Sequence, residues 1–101
     1  MNEIKNYTES IFDSIKHIDE FDNEYWEARK LMRALEYVQW RKFNGVIDKA
    51  IVSCQLSQNN VHDHFAEVGK MVKTGDSYRK IVDYKLSRYA YYLIAQNSDS
   101  R

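Results

Sequence analysis

The spacing of apolar residues changes several times along the chain, and each change predicts an element. Between Ile11 and Ile18 the apolar positions are rich in strand formers, and Tyr25 and Trp26 follow the polar run DEFDNE. Within that run Asp22-Asn23 is a turn-forming pair, because both side chains tolerate the left-handed region and bond to nearby backbone. A strand–turn–strand hairpin is predicted here. From Ala28 the period lengthens. Ala28, Leu31, Met32 and Leu35 fall at i, i+3, i+4 and i+7, with Arg29, Lys30, Arg33 and Glu36 on the opposite face, which predicts a helix. A stronger pattern runs from Trp40 to about Gln55. Trp40, Phe43, Val46, Ile47, Ala50, Ile51 and Cys54 form one stripe, and Arg41, Lys42, Asn44, Asp48 and Lys49 lie off it. Gly45 falls on the polar side, at a propensity cost of about 1 kcal/mol relative to alanine. The short link Tyr37 to Gln39 makes the two helices near neighbours packed at an angle.

Beyond them, QNNVHDH is predicted to be a polar loop. Phe65 to Val72 alternates, Thr74-Gly75-Asp76-Ser77 is a turn, and Arg79 to Leu86 is a returning strand, giving a second hairpin. Ser87 is placed to cap a last helix in which Ala90, Leu93, Ile94 and Asn97 share a face. The order ββ–αα–ββ–α predicts a small single α+β domain of two β-hairpins and about three helices. Residues 1–10 are polar and expected to be a flexible terminus, with the domain over 11–101. The absence of proline and of any Ser/Gly-rich linker argues against an internal boundary.

An apolar fraction of 44% with 14% aromatics places the chain among globular proteins rather than disordered ones. No window approaches the ~18 to 20 consecutive apolar residues of a membrane helix. The start MNEIKNYTES lacks a basic region and an apolar region, so no secretory signal is expected. Cys54 as the sole cysteine excludes an intrachain disulfide and fits a reducing compartment; a cytoplasmic protein is expected.

The net charge of zero hides an asymmetry. Met1 to Glu27 holds two basic and eight acidic residues, net −6, and Ala28 to Arg101 holds 13 basic and seven acidic, net +6. A dipolar surface without a partner is one reading of this, and a polyanion-binding surface is the other.

His62-Asp63-His64 with Cys54 is the one cluster resembling a metal site, but its spacing fits no zinc pattern, and Cys54 sits on an apolar stripe. No glycine elbow frames a nucleophile, and Gly45, Gly69 and Gly75 are too far apart to cradle a phosphate. Neither an enzyme nor a cofactor is therefore expected. The basic residues point elsewhere. Arg29, Lys30, Arg33, Arg41, Lys42 and Lys49 project from the two helices, opposed by Glu36 and Asp48 alone. Two angled helices with basic outer faces can lie along a nucleic-acid groove. A second cluster, Arg79, Lys80, Lys85 and Arg88, is interleaved with Tyr78, Tyr84 and Tyr89, a pattern in which rings stack on bases while cations follow phosphates. The competing reading is a core rim, with cation stems covering apolar surface and tyrosine hydroxyls in water.

Three blocks carry a resemblance: IKHIDEFDNEYWEARKLMRALEY, CQLSQNNVHDHFAEVGKMV and DYKLSRYAYYLIAQN. In this order, from about Ile15 to Asn97, they resemble the N-terminal region of the bacterial DNA-damage-inducible protein D family. That region is a variant of the Bro-N domain of viral and phage Bro proteins and prophage antirepressors. The resemblance implies a DNA-associated, non-enzymatic module of the DNA-damage (SOS) response or of prophage regulation, linked in relatives to the RecA recombinase on single-stranded DNA. Where relatives usually carry glycine, this chain has Glu36 and Gln58, and Tyr91 replaces a smaller residue. Relatives continue past Asn97, so a fragment would leave an apolar surface able to drive self-association.

The resulting expectation is a DNA-binding module contacting single- or double-stranded DNA through Arg29, Lys30, Arg33, Arg41, Lys42, Arg79, Lys80, Lys85, Arg88 and Tyr89. The alternative is a protein-interaction module, acting on a repressor or on RecA without touching DNA and motivated by the acidic N-terminal third.

Overall fold

The computed structural model describes residues 10–98. The expected flexible segment lies, except for Ser10, outside the described residues. The fold is α+β. Its elements are β1 (His17–Ile18), β2 (Glu24–Glu27), α1 (Ala28–Ala34), α2 (Trp40–Leu56), α3 (Val61–His64), β3 (Phe65–Thr74), β4 (Ser77–Leu86) and α4 (Arg88–Asn97), preceded by a helical stretch over 10–14. The strands form one antiparallel sheet in the order β1-β2-β4-β3. No helix among the described residues is long and apolar enough to cross a membrane.

Two expectations need correction. The predicted strand from Ile11 to Ile18 is helical over 10–14, and His17 and Ile18 alone pair with β2. The reason is tertiary. Phe12 stacks on the fully buried Trp26 at a centroid distance of 4.0 Å and on Tyr91 at 3.7 Å, and its carbonyl accepts the Trp26 indole N–H at 2.8 Å. A helical turn, closed by Ile15 N–H to Ile11 O at 3.2 Å, delivers Phe12 to that slot. The predicted QNNVHDH loop contains α3. The Asn60 side chain accepts from His62 N at 2.9 Å, so a local polar signal starts a short helix where composition alone indicates a loop.

The long helix conforms to its stripe. Phe43, Val46, Ile47, Ala50 and Cys54 are buried, while Trp40 and Ile51 pack at the core's margin. With α4 it covers one face of the sheet around Phe65 and Leu86; Ala90, Tyr91, Leu93 and Ile94 supply the α4 side. Ser87 caps α4 as expected, accepting from Ala90 N at 3.0 Å.

Both α1 and α2 end in the same way. Glu36 (φ 66°) and Gln58 (φ 61°) are left-handed. Around them Glu36 N–H bonds Arg33 O, Tyr37 N–H bonds Met32 O, Gln58 N–H bonds Gln55 O and Asn59 N–H bonds Cys54 O. These are two Schellman motifs built without glycine. Tyr37, the residue that follows the first, is buried.

Candidate nucleic-acid interface

The sheet is uneven, and that positions the site. All ten residues of β3 pair with β4, but β2 reaches β4 only at Trp26↔Leu86 and Glu27↔Lys85. Beyond Lys85 the hairpin continues as a two-stranded ribbon, consistent with principal extents of 45 × 33 × 29 Å. Its turn needs a left-handed residue at the first central position, and Gly75 (φ 63°) supplies it.

Directly opposed residues share a face, so the register sorts the ribbon's side chains. Met71↔Lys80 and Lys73↔Tyr78 lie on one face with Gly69 and Val82, whereas Val72↔Arg79 lies on the other with Ile81. Lys80 Cε occupies the place where a Cβ on Gly69 would stand, so this glycine lets the lysine stem lie flat across the ribbon. Met71 and Tyr78 are each 65% exposed, too open for core residues.

At its base the ribbon is anchored by charge. Asp83 is fully buried. Its Oδ1 accepts from Arg29 N at 3.0 Å and from Tyr84 N at 2.8 Å. Glu27, the residue preceding α1, makes no cap bond with its side chain, so Asp83 from a distant strand caps that helix. Asp83 Oδ2 meets Lys70 Nζ at 2.8 Å, an ion pair that neutralises the buried carboxylate. Lys70 also reaches Glu27 at 3.4 Å, and Glu27 further meets Lys30 at 3.5 Å and His17 at 3.6 Å. Hydrogen bonding to Asp83 pushes the Lys70 pKa up, against burial. Burial works upward on Glu27, but Lys70, Lys30 and His17 together hold its carboxyl below the ordinary value.

The structure divides the expected DNA contacts into two groups. In the first, each cation or ring already has a partner. Arg29 donates from Nε to Val82 O at 2.8 Å and lies over the Trp40 ring at 4.1 Å, tying α1, β4 and α2 together. Lys30 faces Glu27 and sits 3.2 Å from His17 Nε2. Lys85 lies over the Tyr25 ring at 4.8 Å. Arg88 holds Glu24 through two hydrogen bonds, at 2.8 and 3.0 Å, and covers Phe12 and Trp26. That pairing lowers the Glu24 pKa, chiefly by the Arg88 hydrogen bond, and raises that of Arg88. Tyr89 OH accepts from Asn59 Nδ2 at 3.0 Å, and its ring packs edge-on to His64. Tyr84 is part-buried, and burial pushes its hydroxyl pKa up. The interleaved tyrosines are thus no single stacking platform, and Tyr78 is the one of the three left exposed on the ribbon.

The second group comprises Arg33, Arg41, Lys42, Arg79 and Lys80, together with Lys49 and Lys73. Among the described residues these are exposed and have no carboxylate at ion-pair distance. Arg41, Lys42 and Lys49 share the solvent side of α2 with Gly45, whose Cβ position is open. Lys73 was not singled out by sequence reasoning. Its signal was present, since it stands opposite Tyr78 once the turn at Gly75 fixes the register.

The other candidate chemistry separates. Cys54 is in the core, its thiol pKa raised by burial, and bonds Asn59 O at 3.7 Å. His62 is exposed, and His64 Nδ1 lies 2.7 Å from Ser87 Oγ, whose acceptor role goes to the α4 cap.

This arrangement, a ribbon and two helix faces with unpaired cations, coincides with a sequence match. Residues 14–101 match the model of the BRO family, N-terminal domain (Bro-N). The chain belongs to the Bro-N family. Consistently, it is 42% identical over 89 residues to the DNA damage-inducible protein D of Escherichia coli (strain K12), a match covering 87% of this chain and 32% of the relative. The Bro-N chain therefore spans about a third of that relative's length. No solved structure matches it.

Proposed function

We propose that this Bro-N chain is a non-catalytic, nucleoid-associated DNA-binding module of the DNA-damage response or of prophage regulation. The observation that carries this reading is the projecting β3–β4 ribbon, where Lys73, Arg79 and Lys80 stand exposed and unpaired beside Tyr78. A two-stranded ribbon fits the major groove of duplex DNA, and cations without partners release counterions at no loss of internal pairing. Arg33, Arg41, Lys42 and Lys49 are a second set for backbone contacts. The name of the relative supports the damage-response setting. Arg29, Lys30, Lys85, Arg88 and Tyr89 serve instead as supports of the scaffold.

Fluorescence anisotropy with labelled duplex and single-stranded oligonucleotides tests this. Arg79→Ala/Lys80→Ala should weaken binding about tenfold or more with the fold retained by circular dichroism, and duplex should be preferred. A double variant that binds like the parent removes the ribbon from the interface. The second reading, a module acting on a repressor or on the RecA recombinase, is favoured by the exposed acidic tip around Phe21. It predicts co-elution with such a protein without DNA.

A further inference from the structure

The β1–β2 connection, residues 19–23, is a small loop with a defined shape. Asp19 N–H bonds Asn23 O at 2.9 Å, and Asp19 Oδ1 accepts from Phe21 N at 2.8 Å and Asn23 N at 2.9 Å. Asp22 is left-handed, φ 65°. These bonds turn Phe21 outward, leaving it 73% exposed, with Ile18 54% exposed at the loop's base. Glu20 and Asp22 flank the ring without a cation at ion-pair distance among the described residues. A large apolar side chain presented in water by a hydrogen-bonded loop, with a carboxylate residue on either side in sequence, is a preformed anchor, since little loop entropy is left to lose on docking.

The matching surface lies on the same molecule. The ribbon face carrying Met71, Tyr78 and Val82 is exposed; the Lys80 stem lies across its middle, between Tyr78 and Val82, and Lys73 stands at its turn end. Apolar contact and charge are both complementary to the acidic tip. The two cannot meet within one chain. Because β2 runs antiparallel to β4 with Trp26 opposite Leu86, residues 19–23 project past the base of β4, away from the Gly75 turn.

We propose that the Phe21 tip of one copy docks on the Met71/Tyr78/Val82 face of a second copy's ribbon, giving a head-to-tail contact closed by Glu20 and Asp22 against Lys73 and Lys80. The contact is heterologous, so each copy offers one donor and one acceptor end. One loop tip against one ribbon face makes a weak contact, which salt weakens further. While it lasts, Lys73 and Lys80 are masked from any polyanion.

Sedimentation velocity of the whole chain without DNA, from about 10 µM to 1 mM, tests this. The weight-average mass should rise with concentration at about 50 mM salt and return to monomer at about 500 mM. Phe21→Ala and Lys73→Glu/Lys80→Glu, both at exposed sites, should each stay monomeric across the range. Mixed in equal amounts they should form a two-chain complex, because one variant keeps the ribbon face and the other keeps the tip. A monomeric parent at 1 mM and low salt would overturn the proposal. So would Phe21→Ala associating as the parent does, which would indicate ribbon-to-ribbon pairing, or a mixture that stays monomeric.

Discussion

Glu36 and Gln58 offer a quantitative test of how α1 and α2 end. Each is left-handed and exposed, and each stands where its Schellman motif favours glycine. Neither side chain makes an ion pair among the described residues, so little is lost by removing it. An L-residue in the left-handed region costs roughly 1–2 kcal/mol relative to glycine, while glycine raises the unfolded-state entropy by about 0.4–1 kcal/mol. The difference predicts that Glu36→Gly and Gln58→Gly each stabilise the fold by about 0.5–1 kcal/mol. The sites cap different helices, so the double variant should gain about 1–2 kcal/mol. For a domain of this size that is roughly 4–16 °C in Tm. Urea denaturation followed by circular dichroism reads the change, with Glu36→Ala as the control. Alanine keeps a Cβ and should leave stability within about 0.5 kcal/mol of the parent. If Glu36→Gly instead destabilises by about 1 kcal/mol, as glycine does in an ordinary helical position, the left-handed assignment at the end of α1 is refuted.

Further predictions concern the ribbon's base. Asp83→Ala removes the cap of α1 and leaves Lys70 without its closest anion, and should cost about 3 kcal/mol in urea denaturation. Asp83→Asn keeps an acceptor for Arg29 N and should cost about half as much; a loss under 1 kcal/mol for the alanine variant would show the network to be dispensable. Glu24 and Glu27 have pKa values below the ordinary 4.5, so their contributions are fully present above that pH and are lost as pH falls through the lower folded-state values. The urea midpoint should therefore fall below about pH 4.5, and Glu27→Gln should show a shallower acid decline. Lys70 has the opposite sign. Its pKa lies above 10.5, so its contribution persists through neutral pH and is lost only in strong alkali, as a pH titration of the urea midpoint would show.

Much of this was legible in the chain because local signals agreed with the fold. The α2 stripe, the Gly75 turn and the Ser87 cap are each read from a few residues, and each stands where the pattern puts it. The stretch from Ile11 to Ser14 was not legible as helix, since its conformation is decided by Trp26 and Tyr91 from elsewhere in the sequence. Glu36 and Gln58 lack the glycine signal because the Schellman bonds themselves hold the backbone there. The candidate site was legible as charge and illegible as geometry. Composition shows that Lys85, Arg88 and Lys80 are cations, but only the fold shows that Arg88 is held by Glu24 and Lys85 by Tyr25, while Lys80 lies free across Gly69. Tyr78, Arg79 and Lys80 are adjacent in sequence, yet the pleat sends Arg79 to the opposite face from its neighbours.

The most direct test of DNA binding through the ribbon is the slope of log K against log salt for a duplex oligonucleotide. The unpaired cations of the ribbon and helix faces predict a slope of about −4 to −6, at roughly 0.9 per phosphate neutralised, and a reduction of about 2 in Arg79→Ala/Lys80→Ala. Absence of binding by the folded chain at low salt, or a slope the double variant leaves unchanged, would contradict it.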